Sequence, residues 1–408
     1  MTSCRAADTL AISSQQLQLT HRQLADDHLA LRPQIPETGV VALHTSDAAL
    51  VAAALTALEG WADEVRLLPH DVTPDPELTI VEASTGGVPG EPPSPERITT
   101  WTLYTSGTTG EPKPITHSRA SLTRTVVAGS STGAEYIWGL LYDPNRMAGL
   151  QVILQGLLSG ASVVSPPLDG PLADRVDVLV EGGVNAISAT PTMWRQLLRV
   201  PATRQLRLRQ ITLGGEIADQ RVLDSLAHAF PNARIVHVFA STETGAAFSV
   251  RDGMAGFPAS YLDDPPGGVA LQIRGDVLHV FSPGVSASGP DGFASTGDIV
   301  EVIADRVHFR GRASGVVNVG GSNVWPEVVE TTLREHPDVV DAIVAAKPNP
   351  MTGNVLVAHV ELRDGVDRTD LAKELRSWVR QRSPRTHVPA SIDFVDSLRT
   401  TTTGKVAR

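Results

Sequence analysis

The stretch Tyr104-Thr105-Ser106-Gly107-Thr108-Thr109-Gly110-Glu111-Pro112-Lys113 decides how the rest of this chain reads. It follows an extended run, Ile98 to Leu103, and ends in a lysine. Gly107 and Gly110 let the backbone take positive φ and approach a ligand closely. Ser106, Thr108 and Thr109 add hydroxyl donors, and Lys113 adds a compact positive charge. Strand, Gly/Ser/Thr loop, then lysine is a plan for wrapping a polyphosphate, because successive backbone N–H groups form an anion-binding nest. A flexible surface turn would need no such order. The spacing is not that of a Walker loop, since Lys113 stands three residues beyond Gly110.

Composition sets the frame. The 408 residues exceed what one core usually serves, so two domains are expected, one of them large. Hydrophobic residues make up 41% and charged residues 19%, as in an ordinary globular enzyme. No apolar run approaches the roughly 18–20 residues of a membrane helix. Met1 to Gln18 lacks the basic-then-apolar plan of a signal peptide. The single cysteine, Cys4, excludes an intramolecular disulfide framework and a cysteine-based zinc site, and a cytoplasmic location is the expectation. A net charge of −11 does not suit non-specific nucleic-acid binding. Only four lysines occur: Lys113, Lys347, Lys373 and Lys405. Arginine supplies every other basic side chain, so the lysines at 113 and 405, both in special sequences, stand out.

Taken in order, residues 1–30 read as polar helix. Val40–Leu43, Glu64–Leu68 and Leu78–Glu82 read as strands, and Ser46-Asp47 can cap an Ala/Leu-rich helix to about Leu58. Helix is expected over 118–128, 147–158, 172–180, 191–198 and 220–230. Strand is expected over 136–141, 161–164, 186–189, 210–213 and 234–239. Such alternation predicts an α/β fold: a large N-terminal domain of parallel-rich sheets layered with helices. Residues 269–309 switch to short alternating strands and predict a small antiparallel β subdomain. From Ala313 the pattern is that of a small, mobile α+β C-terminal domain, whose last expected helix, Asp370 to Gln381, is followed by a tail. The expected domains are 1–312 and 313–408.

Polar motifs fall where strands end, and open parallel sheets bind ligands there. Glu243, in Ala240-Ser241-Thr242-Glu243, is a carboxylate near a phosphate loop; Mg²⁺ between it and nucleotide oxygens would relieve the repulsion. Gly214-Gly215-Glu216 would let a flat base approach the backbone, with Phe239 available for stacking. Asp298, in Ser295-Thr296-Gly297-Asp298, can accept two ribose hydroxyls, although a lone Thr-Gly-Asp is usually a hairpin turn. Arg312 can bridge ribose or phosphate. Lys405, in Thr403-Gly404-Lys405, would by itself be an ordinary tail lysine.

Together these motifs resemble those of the adenylate-forming superfamily of acyl-CoA synthetases, peptide-synthetase adenylation domains and luciferases. The resemblance spans nearly the whole chain. Tyr104–Lys113 is similar to that family's phosphate loop, Phe239–Glu243 to its aromatic-small-x-Thr-Glu segment, and Ser295–Asp298 to its Thr-Gly-Asp segment. Gly311-Arg312 through Gly320-Gly321 is similar to its hinge region, Gly404-Lys405 to its C-terminal lysine motif, and Leu19–Leu24 to its first motif. The resemblance implies a two-step ligase. An acid attacks Mg·ATP to give an acyl-adenylate and pyrophosphate, and a thiol of CoA or a carrier protein then takes the acyl group. It implies Lys405, Glu243 and Thr105 as catalytic residues. It implies a nucleotide site of Thr105–Gly110, Lys113, Gly214, Gly215, Glu216, His237, Phe239, Ala240, Ser241, Thr242, Asp298 and Arg312. It assigns Trp138, Tyr142, Arg146, Thr190, Gly215 and Ala246 to an acid pocket, Asn318, Gly320 and Gly321 to a thiol tunnel, and Ser314 to a hinge.

Departures from the pattern are Pro114, Ala240, Ser314 and Arg146, the last in place of a histidine often found at the acid. An arginine there favours a second negative group or an unusually small anion; the competing reading is a surface arginine at a helix start. Transfer to an amine is the alternative, including activation of nitrite to diazotise an aryl amine. A non-catalytic ATP-binding protein is the alternative of another class.

Overall fold

A computed structural model describes residues 8–26, 30–35, 39–75, 78–80, 97–105, 112–126, 135–241, 245–282 and 291–398. Two compact units result. The first comprises Met1–Gly215, Leu226–Arg251 and Ser282–Ser286; the second comprises Glu216–Ser225, Asp252–Phe281 and Ala287–Arg408. Arg312/Ala313, the expected domain boundary, lies inside the second unit.

The first unit is built on two sheets. One has eight strands in the order Gly245–Val250, Arg234–Ser241, Gln210–Gly214, Ala186–Ala189, Ile137–Leu140, Ser162–Val164, Leu10–Ser13, Gln18–Thr20. Its central strands are parallel, and the two outermost pairs are antiparallel. The other runs Thr79–Ile80, Val40–Leu43, Glu64–Leu67, Thr100–Tyr104, Pro114–His117, parallel except for the last pair. Short apolar runs such as Val40-Val41-Ala42-Leu43 form these strands because parallel strands are covered on both faces.

A single apolar core joins the sheets. It holds Ile12 and Val163 from one, Val41, Val65, Trp101 and Leu103 from the other, and residues of helices Ala48–Ala57 and Met147–Ser159. Asp47 caps the first helix, accepting from the backbone N–H groups of Ala49 and Leu50. All of that helix but Leu55 and Thr56 is buried. A helix apolar on every side must be covered on every side, and its alanines keep it thin enough to sit in the core. The second helix stops at Gly160, which takes the left-handed conformation with φ 73°.

In the second unit, a five-stranded antiparallel sheet runs Phe257–Pro258, Arg306–Arg312, Ala294–Ile303, Val277–Phe281, Ala270–Arg274. The C-terminal part packs helices Pro326–Arg334 and Leu371–Arg382 on a three-stranded sheet of Val339–Asn349, Gly353–Leu362 and Ser391–Val395. Arg334, nearly buried, bonds Asp219 at 3.1 Å and Asp341 at 3.3 Å and lies 4.0 Å from Glu330. Those carboxylates hold its guanidinium in the charged form against the cost of burial.

The expected architecture is present, with three local corrections. Residues 10–20 are not helical: Leu10–Ser13 and Gln18–Thr20 form a hairpin, and helix begins only at His21, capped by Thr20 and Gln23. Leu10–Ser13 is held by Ser162–Val164, a partner far along the chain. The helix after Ser118 spans only Arg119–Thr123 before the described residues end at 126. Ser391–Val395, read as tail, is a strand paired in parallel with Gly353–Leu362.

Gly149 tests the packing. A Cβ there would stand 2.2 Å from the Asp143 carbonyl oxygen and 2.8 Å from its carbon. Gly149→Ala should therefore lower stability by about 1–3 kcal/mol by overpacking, although alanine is the better helix former by about 1 kcal/mol. The midpoint of urea denaturation reads this, and an increase would contradict the close approach.

Candidate active site

The stretch Tyr104–Lys113, expected to bind a polyphosphate, is closed at its base. Thr105 N–H donates to the Lys113 carbonyl at 3.0 Å, and Lys113 N–H donates to Thr105 Oγ1 at 3.1 Å. Tyr104 pairs with Pro114 in the antiparallel ladder below. The loop thus leaves the C-terminal end of one strand and returns through an edge strand. Pro114 has no N–H to donate, and as the first residue of an edge strand it is tolerated there. Lys113 is exposed. Ser106, Gly107, Thr108, Thr109 and Gly110 lie outside the described residues, as do Thr242, Glu243 and Lys405.

Other expected residues gather at the same end of the eight-stranded sheet, because its central strands are parallel and share one C-terminal edge. Tyr142 follows Ile137–Leu140, Thr190 follows Ala186–Ala189, and Gly214 and Gly215 close Gln210–Gly214. The Tyr142 hydroxyl lies 3.5 Å from the Gly214 carbonyl. Gly215 has φ 80°, a conformation that glycine adopts freely. Thr190 is 1% exposed and accepts from Met193 N–H at 3.0 Å, so its hydroxyl caps helix Pro191–Leu197. Trp138 lies within its strand rather than at the end, and its buried indole N–H has no partner among the described residues. His237, Phe239, Ala240 and Ser241 lie on Arg234–Ser241, where Ala240 pairs with Ala246. The Phe239 ring stacks on Phe248 at 5.2 Å between centroids, 11° from parallel, so an aromatic neighbour already covers one ring face.

In the second unit Asp298 and Arg312 meet as ladder partners. Arg312 Nη1 stands 3.2 Å from Asp298 Oδ1 and also bonds the Thr296 carbonyl. Thr296-Gly297-Asp298 is therefore no hairpin turn; it lies inside the strand Ala294–Ile303, with Gly297 at φ 71°. Glu216 also belongs to this unit. Asn318, Gly320 and Gly321 form one tight hairpin, in which Gly321 N–H donates to Asn318 Oδ1 at 3.1 Å. Ser314 sits exposed in the 3₁₀ turn Ala313–Gly315.

Arg146 is the main surprise. It is not a surface residue: only 8% of it is exposed. Its Nη2 contacts both carboxylate oxygens of Asp71, at 2.5 and 2.6 Å, and its Nη1 donates to the Tyr104 carbonyl at 3.4 Å. Asp143 Oδ2 lies 3.9 Å from its Nε, which has no hydrogen-bond partner among the described residues. Asn145, fully buried, donates to the Thr45 carbonyl, which leaves its Oδ1 without a described partner. His44, whose buried Nε2 is likewise unpartnered, meets the His70 ring edge-on at 5.6 Å. Sequence reading passed over His44, His70, Asp71 and Asn145. Three of them follow Val40–Leu43 and Glu64–Leu67, so the same strand-end rule applied to the first two strands would have found them.

Among the described residues no three His, Cys, Asp or Glu side chains gather so as to hold a metal ion. No described helix is long and apolar enough to cross a membrane.

Burial raises the Asp143 carboxyl above its usual range, against the Asn145 N–H and the charges of Arg146 and His70, which pull it down. A carboxyl that holds its proton more tightly when folded costs stability as pH rises from the ordinary carboxylate range through its raised folded value. Asp143→Asn removes that ionisation. Its stability relative to the parent should climb across this window and level off above it. Urea denaturation at a series of pH values reads the difference, and a flat difference would refute the raised value.

Comparisons with known proteins give the chain's family and fold. Residues 6–285 match the model of the AMP-binding enzyme family, and residues 328–405 match that of the AMP-binding enzyme C-terminal domain. The chain is 28% identical over 353 residues to 4-hydroxybutyrate--CoA ligase 1 of Metallosphaera sedula, covering 75% of this chain. It spans only 60% of that ligase's length. It is 26% identical over 413 residues to the fatty acid--[acyl-carrier-protein] ligase ScoC of Streptomyces coeruleorubidus, covering 92% of this chain and 73% of ScoC. The fold matches the crystal structure of the ATP-bound RpMatB-BxBclM chimera B1 with a TM-score of 0.77 at 20% identity, covering 98% of this chain and 94% of the chimera. The chain belongs to the AMP-binding enzyme family, the adenylate-forming superfamily.

Proposed function

We propose that this chain is an ATP-dependent, AMP-forming acid ligase. The observation that carries the reading is the loop base: reciprocal Thr105–Lys113 bonds join the two ends of the Gly/Ser/Thr stretch at the C-terminal end of the strand Thr100–Tyr104. Family membership and the names of the matched ligases support it.

In this reading the loop holds the β- and γ-phosphates of ATP, with Lys113 as their counter-charge. Asp298 accepts the ribose hydroxyls, and Arg312 fixes the orientation of that carboxylate. An oxygen of the acid attacks the α-phosphorus. The bond to the β-phosphate oxygen breaks, and pyrophosphate leaves with that oxygen's electron pair. Lys405 stabilises the negative charge that develops. Mg²⁺ supplies further neutralisation of phosphate charge when bound. Glu243, which lies outside the described residues, would be the protein carboxylate on an ion that the nucleotide carries in.

In the second step a thiol of CoA or a carrier protein attacks the acyl carbonyl, and AMP leaves. Residues 313–408 act as a lid that pivots near Ser314 between the steps, with Asn318, Gly320 and Gly321 beside the thiol path. A second reading replaces the thiol with an amine and the acid with a small oxyanion such as nitrite. The buried Arg146 beside the phosphate-loop strand favours it.

Pyrophosphate release, screened over aliphatic, aromatic and inorganic acids with and without CoA and with and without an aryl amine, tests both. Acid-dependent release is expected. Release that needs nitrite and an amine selects the second reading, and no release with any acid overturns the ligase function. Lys405→Ala should lower adenylate formation by at least about 100-fold while leaving ATP binding, read by calorimetry, unchanged. Undiminished turnover would remove Lys405 from the chemistry.

A further inference from the structure

We infer that Asp71 is an internal carboxylate seated where the substrate's own oxyanion docks on Arg146, and that the acid displaces it on binding. The inference rests on the proposed acid-activating function and adds to it an occupant and a competition.

The pair is lopsided. The Arg146 side chain is 10% exposed, whereas that of Asp71 is 56% exposed. A pair serving only packing would cover both partners, since the attraction between charges grows with their common burial. Here the cation is fixed in the interior and the anion stands at the surface.

Arg146 keeps its place without Asp71. It lies at the start of the helix Met147–Ser159, its Nη1 reaches the Tyr104 carbonyl, and Asp143 lies 3.9 Å from its Nε. Asp71, by contrast, belongs to the loop that follows Glu64–Leu67, and more than half of its side chain already faces water. Leaving a buried guanidinium unpaired is expensive, so Asp71 departs only when another anion arrives.

The geometry of the seat defines that anion. One Arg146 nitrogen meets both oxygens of a planar group. Carboxylate and nitrite both present two oxygens in one plane on a single atom, so either can meet Nη2 through both oxygens as the Asp71 carboxylate does. Arg146 Nε, without a hydrogen-bond partner among the described residues, offers a further donor on the same guanidinium. The contact with the Tyr104 carbonyl sets the seat beside the residue that precedes the phosphate loop's Thr105 anchor. An acid held there would lie next to the nucleotide. Phosphate oxygens of ATP share the charge but are not planar, and the test separates the two sources.

Removing an internal competitor tightens apparent binding by the fraction of the seat it occupied. In Asp71→Asn the KM for the acid should fall about five-fold, the scale of a half-exposed ion pair, with the KM for ATP unchanged. Binding of sodium formate and of sodium nitrite, read by calorimetry without ATP, should tighten in parallel. Arg146→Lys keeps the charge and loses the planar set of Nη2 and Nε donors, and should weaken binding of both anions in either background. An unchanged acid KM and unchanged anion affinity in Asp71→Asn overturn the inference, as does an effect confined to ATP. The formate and nitrite titrations need no turnover. Failure of the ligase function therefore shows as absent pyrophosphate release, and failure of the displacement shows as equal anion affinity.

Discussion

The first unit depends on how one buried positive charge is neutralised. Arg146 lies past the end of a strand in the eight-stranded sheet, yet every group that satisfies it belongs to a strand end or its following loop. Tyr104 and Asp71 come from the five-stranded sheet, and Asp143 from the turn just before Arg146. A guanidinium cannot give up its proton, so burial forces it to gather oxygen ligands. The C-terminal ends of the two sheets meet around it. That is also where parallel sheets present loops to a ligand. One charge therefore joins the packing of the two sheets to the strand end at Tyr104.

The apolar layer beneath explains why the charge can sit there. The alanine-rich helix Ala48–Ala57 and the helix Met147–Ser159 share one core with both sheets. The first residue of the second helix follows Arg146, and Gly149 lets that helix press onto the Asp143 carbonyl. A Cβ at 149 would stand 2.2 Å from that carbonyl oxygen, so the contact between this helix and the turn before Arg146 requires glycine. Strand-end chemistry and helix packing are thus one constraint seen from two sides.

Much of this was legible in the sequence because it is local. Apolar runs between turn residues marked the parallel strands. Asp47 and Gly160 marked helix ends by capping rules that need only nearby backbone. What escaped was set by distant partners. Leu10–Ser13 and Gln18–Thr20 carry residues that suit a helix as well as a strand, and the ladder with Ser162–Val164 decides between them. Ser391–Val395 alternates weakly and becomes a strand because Gly353–Leu362 offers an edge. The charges of Asp71 and Arg146 were visible, but no one-dimensional pattern pairs residues 75 positions apart.

The candidate site follows the same division. Motif residues close together in the chain, such as Thr105 with Lys113 and Asn318 with Gly321, form bonds that a short separation makes easy. Asp298 differs. As a lone Thr-Gly-Asp it reads as a turn, and only its ladder partner changes that. Arg312, opposite it across the antiparallel pair, holds one carboxylate oxygen and the Thr296 carbonyl together. A carboxylate steered in this way keeps its second oxygen's direction defined, which a ribose diol requires and a solvent-facing turn would not supply. Pairing between strands, rather than the motif alone, fixes where that carboxylate stands.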